Sequence, residues 1–466
     1  MDPTKAEQKR KNELARITRM LEAPKPAHYL AFVMTVLTII YIVDELTSNV
    51  NGAMQPYVLF DLFHITSRDV NSPEYAQAIN TVAPLSVASN FLLIITPFYK
   101  ALSDRYGRRI FLAINTIGMG LGMCVVMTSS SVAQYILGML LMMFFTPNDM
   151  QVLYIMETAP KEKRATYCFV TKGIALVSVS LIGVFSRIFL REDVPSSWKG
   201  VYLIPVITAL VVGVLSVFFV RETPVFLEAR KEALSGTPEE RRQREEKEKQ
   251  QGTSETGGVF RAIRYIFSTP QLRWILAAGF IFFAATVYTS YYATVLEGGM
   301  STAQVGTALV IYPLFNGIST FFCGFLSDRL GRKRVCLVLG AVTIAGLLVF
   351  VLSCRYGLGP VPAGIAYGIS IGGLWSMSDT LILTMPAEST PSGMRSSVMG
   401  TISVMIGSGM FVGQALFIIG QNFIPMDALS LLICVPFIAL SLLVLMTKVR
   451  ETKDIDLEHI DAESFR

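Results

Sequence analysis

Apolar runs of about 20 residues return twelve times along this chain, at roughly 28–50, 78–99, 110–130, 132–155, 166–188, 200–220, 273–295, 303–326, 335–353, 360–384, 397–420 and 427–447. Each is long enough to cross the hydrocarbon core of a bilayer as a helix. In that medium the backbone has no water to pair with, so such segments are confined to structures that satisfy their own amides. A soluble domain would have to bury all of the runs in one core. It would also need charge for its surface, and only 16% of the residues are charged against 52% hydrophobic, where soluble domains run near a quarter charged. The chain reads as an all-α, multi-pass membrane protein.

The first run follows a polar start, is too long for a signal peptide and has no small-residue cleavage site after it, so it is expected to be a true span. Seven Lys/Arg precede it. The connections after even-numbered runs carry Lys100, Arg105, Arg108 and Arg109, then Lys161, Lys163 and Arg164, then Arg329, Arg332, Lys333 and Arg334. Connections on the other side show only Arg68, Arg191, Lys199 and Arg355. Positive residues stay inside, which predicts a cell-membrane protein with both termini cytoplasmic. The net charge of +5 follows from that placement, and no nucleic-acid partner is expected. The six cysteines have no paired spacing, so neither a disulfide framework nor a zinc site is expected. His28, His64 and His459 fall at span ends or in soluble segments, and there is no G-x-x-x-x-G-K loop. The expectation is a protein that is not an enzyme or an ATP-driven pump and that carries no cofactor or metal.

Words recur. "LSDRYGRR" opens at Leu102 and "LSDRLGRK" at Leu326, 224 positions later. "ETAPKEKR" from Glu157 and "ESTPSGMR" from Glu388 share the spacing Glu, Pro, Arg at an offset of 231, and "RETPVFLEA" from Arg221 returns as "RETKDIDLE" from Arg450 at an offset of 229. Three words at nearly one offset mean a duplicated six-span unit. The expected organisation is a tail at 1–27, bundles at 28–220 and 273–447, a charged linker at 221–272 and a second tail at 448–466. A glycine in the repeated word lets two helices approach closely. Asp104 and Asp328 sit where an acid can accept from exposed helix amides or an arginine. The bland alternative is that the basic residues only enforce topology.

Gly324 to Lys333, with its G-x-x-x-D-R-x-G-R-K spacing, resembles the signature of the major facilitator superfamily; the first copy departs from it at Lys100, where the glycine belongs. The Glu-Pro-Arg and "RET" words resemble those of the sugar-porter branch and its organic-ion, metabolite:proton symporter relatives. The resemblance implies a major facilitator fold of twelve transmembrane helices in two pseudo-symmetric six-helix bundles. It implies a gate latch at the repeated words, with Asp104, Arg105, Arg108, Asp328, Arg329 and Arg332 as candidates. Glu157 with Arg164, and Glu388 with Arg395, would complete it.

Ionisable residues inside a membrane are costly and mark function by default. Asp44 and Glu45 lie about fifteen residues into the first run, roughly 20 Å from its start, and neighbours on a helix point about 100° apart, so one of the two is expected to face inward; the alternative is that both are solvated charges near the outer rim. Asp149 lies eight residues before Glu157, and Lys172 eight residues after Arg164. They therefore share a depth, and either form a structural ion pair or belong to a site. Trp375 and Asp379 stand four residues apart on one helix face. Asp379 is a candidate proton site, or else bonds to neighbouring hydroxyls. The resemblance implies a cavity lined by the first, fourth, seventh and tenth spans, which adds Tyr288, Tyr291 and Tyr292; packing is their alternative role. It also implies a coupling acid in the first span. Lys172 stands where sugar porters resemble one another in a sugar-binding glutamine, and the glutamines of their seventh span are replaced by "GFIFFAATVYTSYYA".

The reading is a secondary transporter that works by alternating access, in which Lys172 favours a small organic anion over a sugar, with protons as the coupling partner, the lipid bilayer as its surroundings and a monomer as its state. A proton-coupled exporter of drugs or lipophilic anions and a sugar transporter are the alternatives, with a channel or sensor behind them.

Overall fold

The apolar runs become helices because an i to i−4 ladder is the one way a single segment can pair its own amides in lipid. The computed structural model describes residues 3–24, 28–146, 150–160, 164–191, 193–235, 260–390 and 395–452, with only the backbone described at some helical positions. Among the described residues the regular structure is helical throughout.

A polar helix, α1 (Pro3–Glu22), comes first. The spans of the first repeat are α2 (Tyr29–Leu62), α3 (Pro73–Tyr106), α4 (Arg108–Met127), a fourth described over α5 (Val132–Phe145) and α6 (Met150–Thr158), a fifth split into α7 (Arg164–Ser178) and α8 (Ser180–Phe189), and α9 (Lys199–Phe219). Between the repeats stand α10 (Pro224–Leu234) and α11 (260–268). The second repeat begins with α12 (Pro270–Ala284) and α13 (Tyr288–Glu297), joined by a tight turn, then α14 (Thr302–Leu330) and α15 (Arg332–Arg355). Its fourth span is α16 (Pro360–Asp379), a wide π turn at Thr380–Thr384 and α17 (Met385–Glu388). The last two are α18 (Arg395–Gly407) with α19 (Gly409–Gly420), and α20 (Met426–Lys448). Among the described residues, ten segments are long and apolar enough to cross a membrane. The remaining two, α3 and α16, carry the second and tenth runs, α16 being diluted by Gly and Ser.

The breaks repeat as the words do. The fifth span is interrupted at Val179 and the eleventh at Ser408, 229 positions apart. Broken helices free backbone groups at depth, which membrane proteins tolerate where the groups line a cavity or meet protein.

The chain divides into two compact units, one of Met1–Ser48, Ala88–Ala175 and Tyr202–Ser254, the other of Asn49–Val87, Leu176–Val201 and Glu255–Arg466. In the first, Val33, Leu37 and Ile40 of α2 pack with Leu112 of α4 and with Tyr154 and Ile155 of α6. Outside that core α1 is tied to α10: Arg230 donates to Glu13 Oε1 at 2.9 Å, and Arg10 to the Leu234 carbonyl at 2.7 Å.

The second unit is closed by small residues. A Cβ on Gly409 or Gly413 would lie 2.0 Å from the carbonyl oxygen of Phe280 or Ala284, so α19 rests directly on the backbone of α12, a small-xxx-small contact. Gly413→Val is expected to cost about 3 kcal/mol, the upper end of overpacking. Gly400→Ala and Gly407→Ala, which meet nothing within 4 Å, should be neutral. Melting curves in one detergent check the contrast.

Far along α14 from its Gly331 end, this unit gathers polar residues from both repeats. The Tyr57 hydroxyl donates to Glu297. Tyr75 and Thr294 share a hydrogen bond of 3.0 Å. Gln421 donates to Asn80 at 2.6 Å, and Asn80 to Asn422 at 2.8 Å. The buried Trp198 indole donates to Asp61 at 2.9 Å. These bonds join α2 and α3 to α13 and to the end of α19, and α2 to the residue that precedes α9.

Candidate functional site

The repeated words fold into two copies of one charged cradle. In the first unit, Gly107 has φ +113°, and α4 starts immediately after it. A helix start exposes amides that no residue of the helix can satisfy. Glu222 supplies the acceptor: its Oε1 takes the Arg108 and Arg109 amides at 2.9 and 3.2 Å. A Cβ on Gly107 would lie 2.4 Å from that carboxylate, so the glycine is needed for both its backbone angle and its lack of a side chain. The Arg108 side chain donates to Glu157 Oε1 at 3.1 Å, and Thr223 to Glu157 Oε2 at 2.6 Å. Burial raises the Glu222 carboxyl above its ordinary value against the lowering effect of the amides of Thr223, Arg109 and Arg108.

The second unit repeats this residue for residue. Gly331 has φ +92°. Glu451 accepts from the Arg332 amide at 2.7 Å and the Lys333 amide at 3.2 Å. Arg332 donates to Glu388 Oε1 at 3.1 Å, and Thr452 to Glu388 Oε2 at 2.6 Å. The "RET" words therefore supply the acid that caps the helix and the threonine that steadies the paired glutamate. Sequence reading found the words but missed the roles of Glu222, Thr223, Glu451 and Thr452. The common offset was the signal. Arg164 and Arg395 were the expected partners of Glu157 and Glu388; the described partners are Arg108 and Arg332. The side chains of Arg164 and Arg395, with those of Asp104, Arg105 and Asp328, lie outside the described residues. Arg329 is exposed at the end of α14.

At depth, Asp44 on α2 is 6% exposed and Glu45 is half-buried. Gln151 on α6, itself 3% exposed, donates its amide N–H to Asp44 Oδ2 at 2.8 Å. An amide can donate to a carboxylate and, through its oxygen, accept from a carboxylic acid. The pair can thus accommodate either protonation state of Asp44. Sequence reading missed Gln151, a neutral side chain that belongs to no repeated word.

Lys172 is exposed on α7, as are Trp375 and Asp379 on one face of α16. Asp149 lies outside the described residues. Asp379 immediately precedes the π turn of the tenth span, a feature frequent at functional sites. Asp149 and Asp379 are 230 positions apart in the sequence, close to the offset of the repeated words. The three tyrosines are buried. Tyr288 shares a hydrogen bond of 2.9 Å with Ser370, Tyr291 stacks on Phe417 at 4.5 Å, and Tyr292 stacks on Tyr367 at 4.7 Å.

The family model of the Major Facilitator Superfamily matches residues 32–414, and again 293–458. The chain belongs to the Major Facilitator Superfamily, and is a multi-pass membrane protein of that transporter type. A stretch of 109 residues, 22% of this chain, is 30% identical to solute carrier family 2, facilitated glucose transporter member 2, of Gallus gallus; it spans 20% of that relative's length. The fold is similar to the crystal structure of a D-xylose-proton symporter, with a TM-score of 0.67, 16% identity and coverage of 91% of this chain and 99% of that one. It is also similar to a bacterial homolog of the human lysosomal transporter Spinster, with a TM-score of 0.61, 13% identity and coverage of 93% and 99%.

Proposed function

We propose that this protein is a proton-coupled symporter that carries a small organic anion across the cell membrane by alternating access, with both termini cytoplasmic. The observation that carries the reading is the Asp44–Gln151 pair, an ionisable carboxyl held inside a membrane-spanning helix by a partner that tolerates proton gain and loss. The cradles at Gly107 and Gly331 are the gating elements on the cytoplasmic side, where the basic connections cluster. The bonds from Tyr57, Tyr75 and Asn80 hold the outer side closed and break when it opens. Asp379 and Asp149 support proton movement, and Trp375 lies beside Asp379 for contact with solute.

Lys172 supplies the anion preference. A lysine exposed on a membrane-spanning helix is costly unless a negative partner meets it, and a solute carboxylate is such a partner. A sugar is the second reading, favoured by the aligned stretch shared with the glucose transporter. Melting shifts separate the two. A ligand at about 100 times its dissociation constant stabilises the folded protein by roughly 2.7 kcal/mol. Small carboxylates are expected to raise Tm in the wild type and to lose that effect in Lys172→Gln, whose unliganded Tm should be unchanged. Shifts from pentoses or hexoses alone, equal in both proteins, would establish the sugar reading and make Lys172 structural.

A further inference from the structure

We propose that α11, the start of α12 and α18 together bind an anionic phospholipid, taken from the leaflet that meets the basic loops. This goes beyond the transport reading and holds for any solute.

The nine residues of α11 bury Ala262 and Ile266 completely. Their other face leaves Phe260 71% and Phe267 49% exposed, with Arg261 and Arg264 exposed between them. Positions 260, 264 and 267 fall on one side of a helix. Aromatic and basic side chains on the free side of a short helix suit the boundary between headgroups and acyl chains. Isolated in water, that face would expose two phenylalanines for no gain.

From Phe267 a groove of about 430 Å³ runs along α12, lined by Arg273, Leu276, Ala277 and Phe280, with Met405 of α18 on its other wall. Its length from Arg273 to Ile281 is roughly 12 Å by helix rise, close to the ~15 Å depth of one hydrocarbon leaflet. The groove is apolar along its length and cationic at its mouth. Arg273 lies 5.8 Å and Lys448 5.5 Å from the centre of the same Trp274 ring. Arg261 and Arg264 precede them on α11, and residues 260–281 include these three arginines and no Asp or Glu. The nearby Glu451 is already engaged by the Arg332 and Lys333 amides. Clustered cations repel one another unless an anion sits among them. A free phosphate would neutralise the mouth and leave the groove empty; a phospholipid fills both, with phosphate at the arginines and an acyl chain along Leu276 and Phe280.

The test is native mass spectrometry of the full-length protein, delipidated in neutral detergent and titrated with phosphatidylglycerol or phosphatidylcholine. Phosphatidylglycerol should bind about tenfold more tightly, and the preference should fade as salt is raised. The triple variant Arg261→Gln/Arg264→Gln/Arg273→Gln should lose the preference, while Ala277→Trp, which fills the groove, should lower retention of both lipids. Melting curves establish that each variant is folded, and the salt series on wild type decides the matter without any variant. Equal binding of the two lipids at low salt, or an undiminished preference in the folded triple variant, would overturn the proposal. Loss of solute transport alone would bear on the transport reading and leave this one standing.

Discussion

Glu388→Ala is expected to destabilise the protein by about 2 kcal/mol and to slow transport at least roughly tenfold. Glu388 gives one oxygen to Arg332 and the other to Thr452, and the pair is largely shielded, with the two side chains 18% and 17% exposed. Truncation leaves the guanidinium without its carboxylate and frees the segment carrying Glu451, which caps α15. Because much of the penalty is the stranded charge, Arg332→Ala in the same chain should recover part of it. The double variant is then less damaged than the sum of the two singles. The first repeat makes the same bonds through Glu157, Arg108 and Thr223, so Glu157→Ala should match Glu388→Ala in direction and size. Melting curves and initial uptake rates check both. A neutral result in either repeat would mean that its cradle only sets topology.

Asp44→Asn is expected to abolish proton-driven accumulation while leaving solute exchange across the membrane. The amide of asparagine fits the space of the carboxyl and can still bond to Gln151, so folding and the conformational cycle survive. The variant cannot gain or lose a proton. At one proton per solute, a gradient of one pH unit, about 1.4 kcal/mol, sustains roughly tenfold accumulation; the variant should sustain none. Glu45→Gln, on the half-buried neighbour, should retain accumulation. If Asp44→Asn still concentrates solute and Glu45→Gln does not, the coupling acid is Glu45.

The helical membrane architecture was legible because runs such as 335–353 and 427–447 are long and bear almost no charge, and lipid leaves such runs only one structure. The duplication was legible because Glu157 and Glu388, or Arg221 and Arg450, sit in words with fixed internal spacing. The pairings were not. Arg332 meets Glu451 and Glu388 across 119 and 56 positions, separations that spacing within a word cannot encode. Gln151 is an ordinary polar residue until the fold brings it to Asp44. The tyrosines expose a different limit. An aromatic run in a span serves a cavity or a helix contact equally well by composition. Only packing reveals that Tyr291 lies against Phe417 and Tyr292 against Tyr367. Tyr57 and Glu297 carried no motif at all, and their pairing emerges where α2 meets α13.

The measurement that tests the account most directly is uptake of labelled small carboxylates and hexoses into liposomes holding the purified wild-type protein, under an imposed inside-alkaline pH gradient. The account predicts saturable accumulation of a carboxylate above its outside concentration, abolished by a protonophore, with no accumulation of the hexoses. Equilibration without accumulation, at a rate that neither saturates nor responds to the gradient, would contradict it.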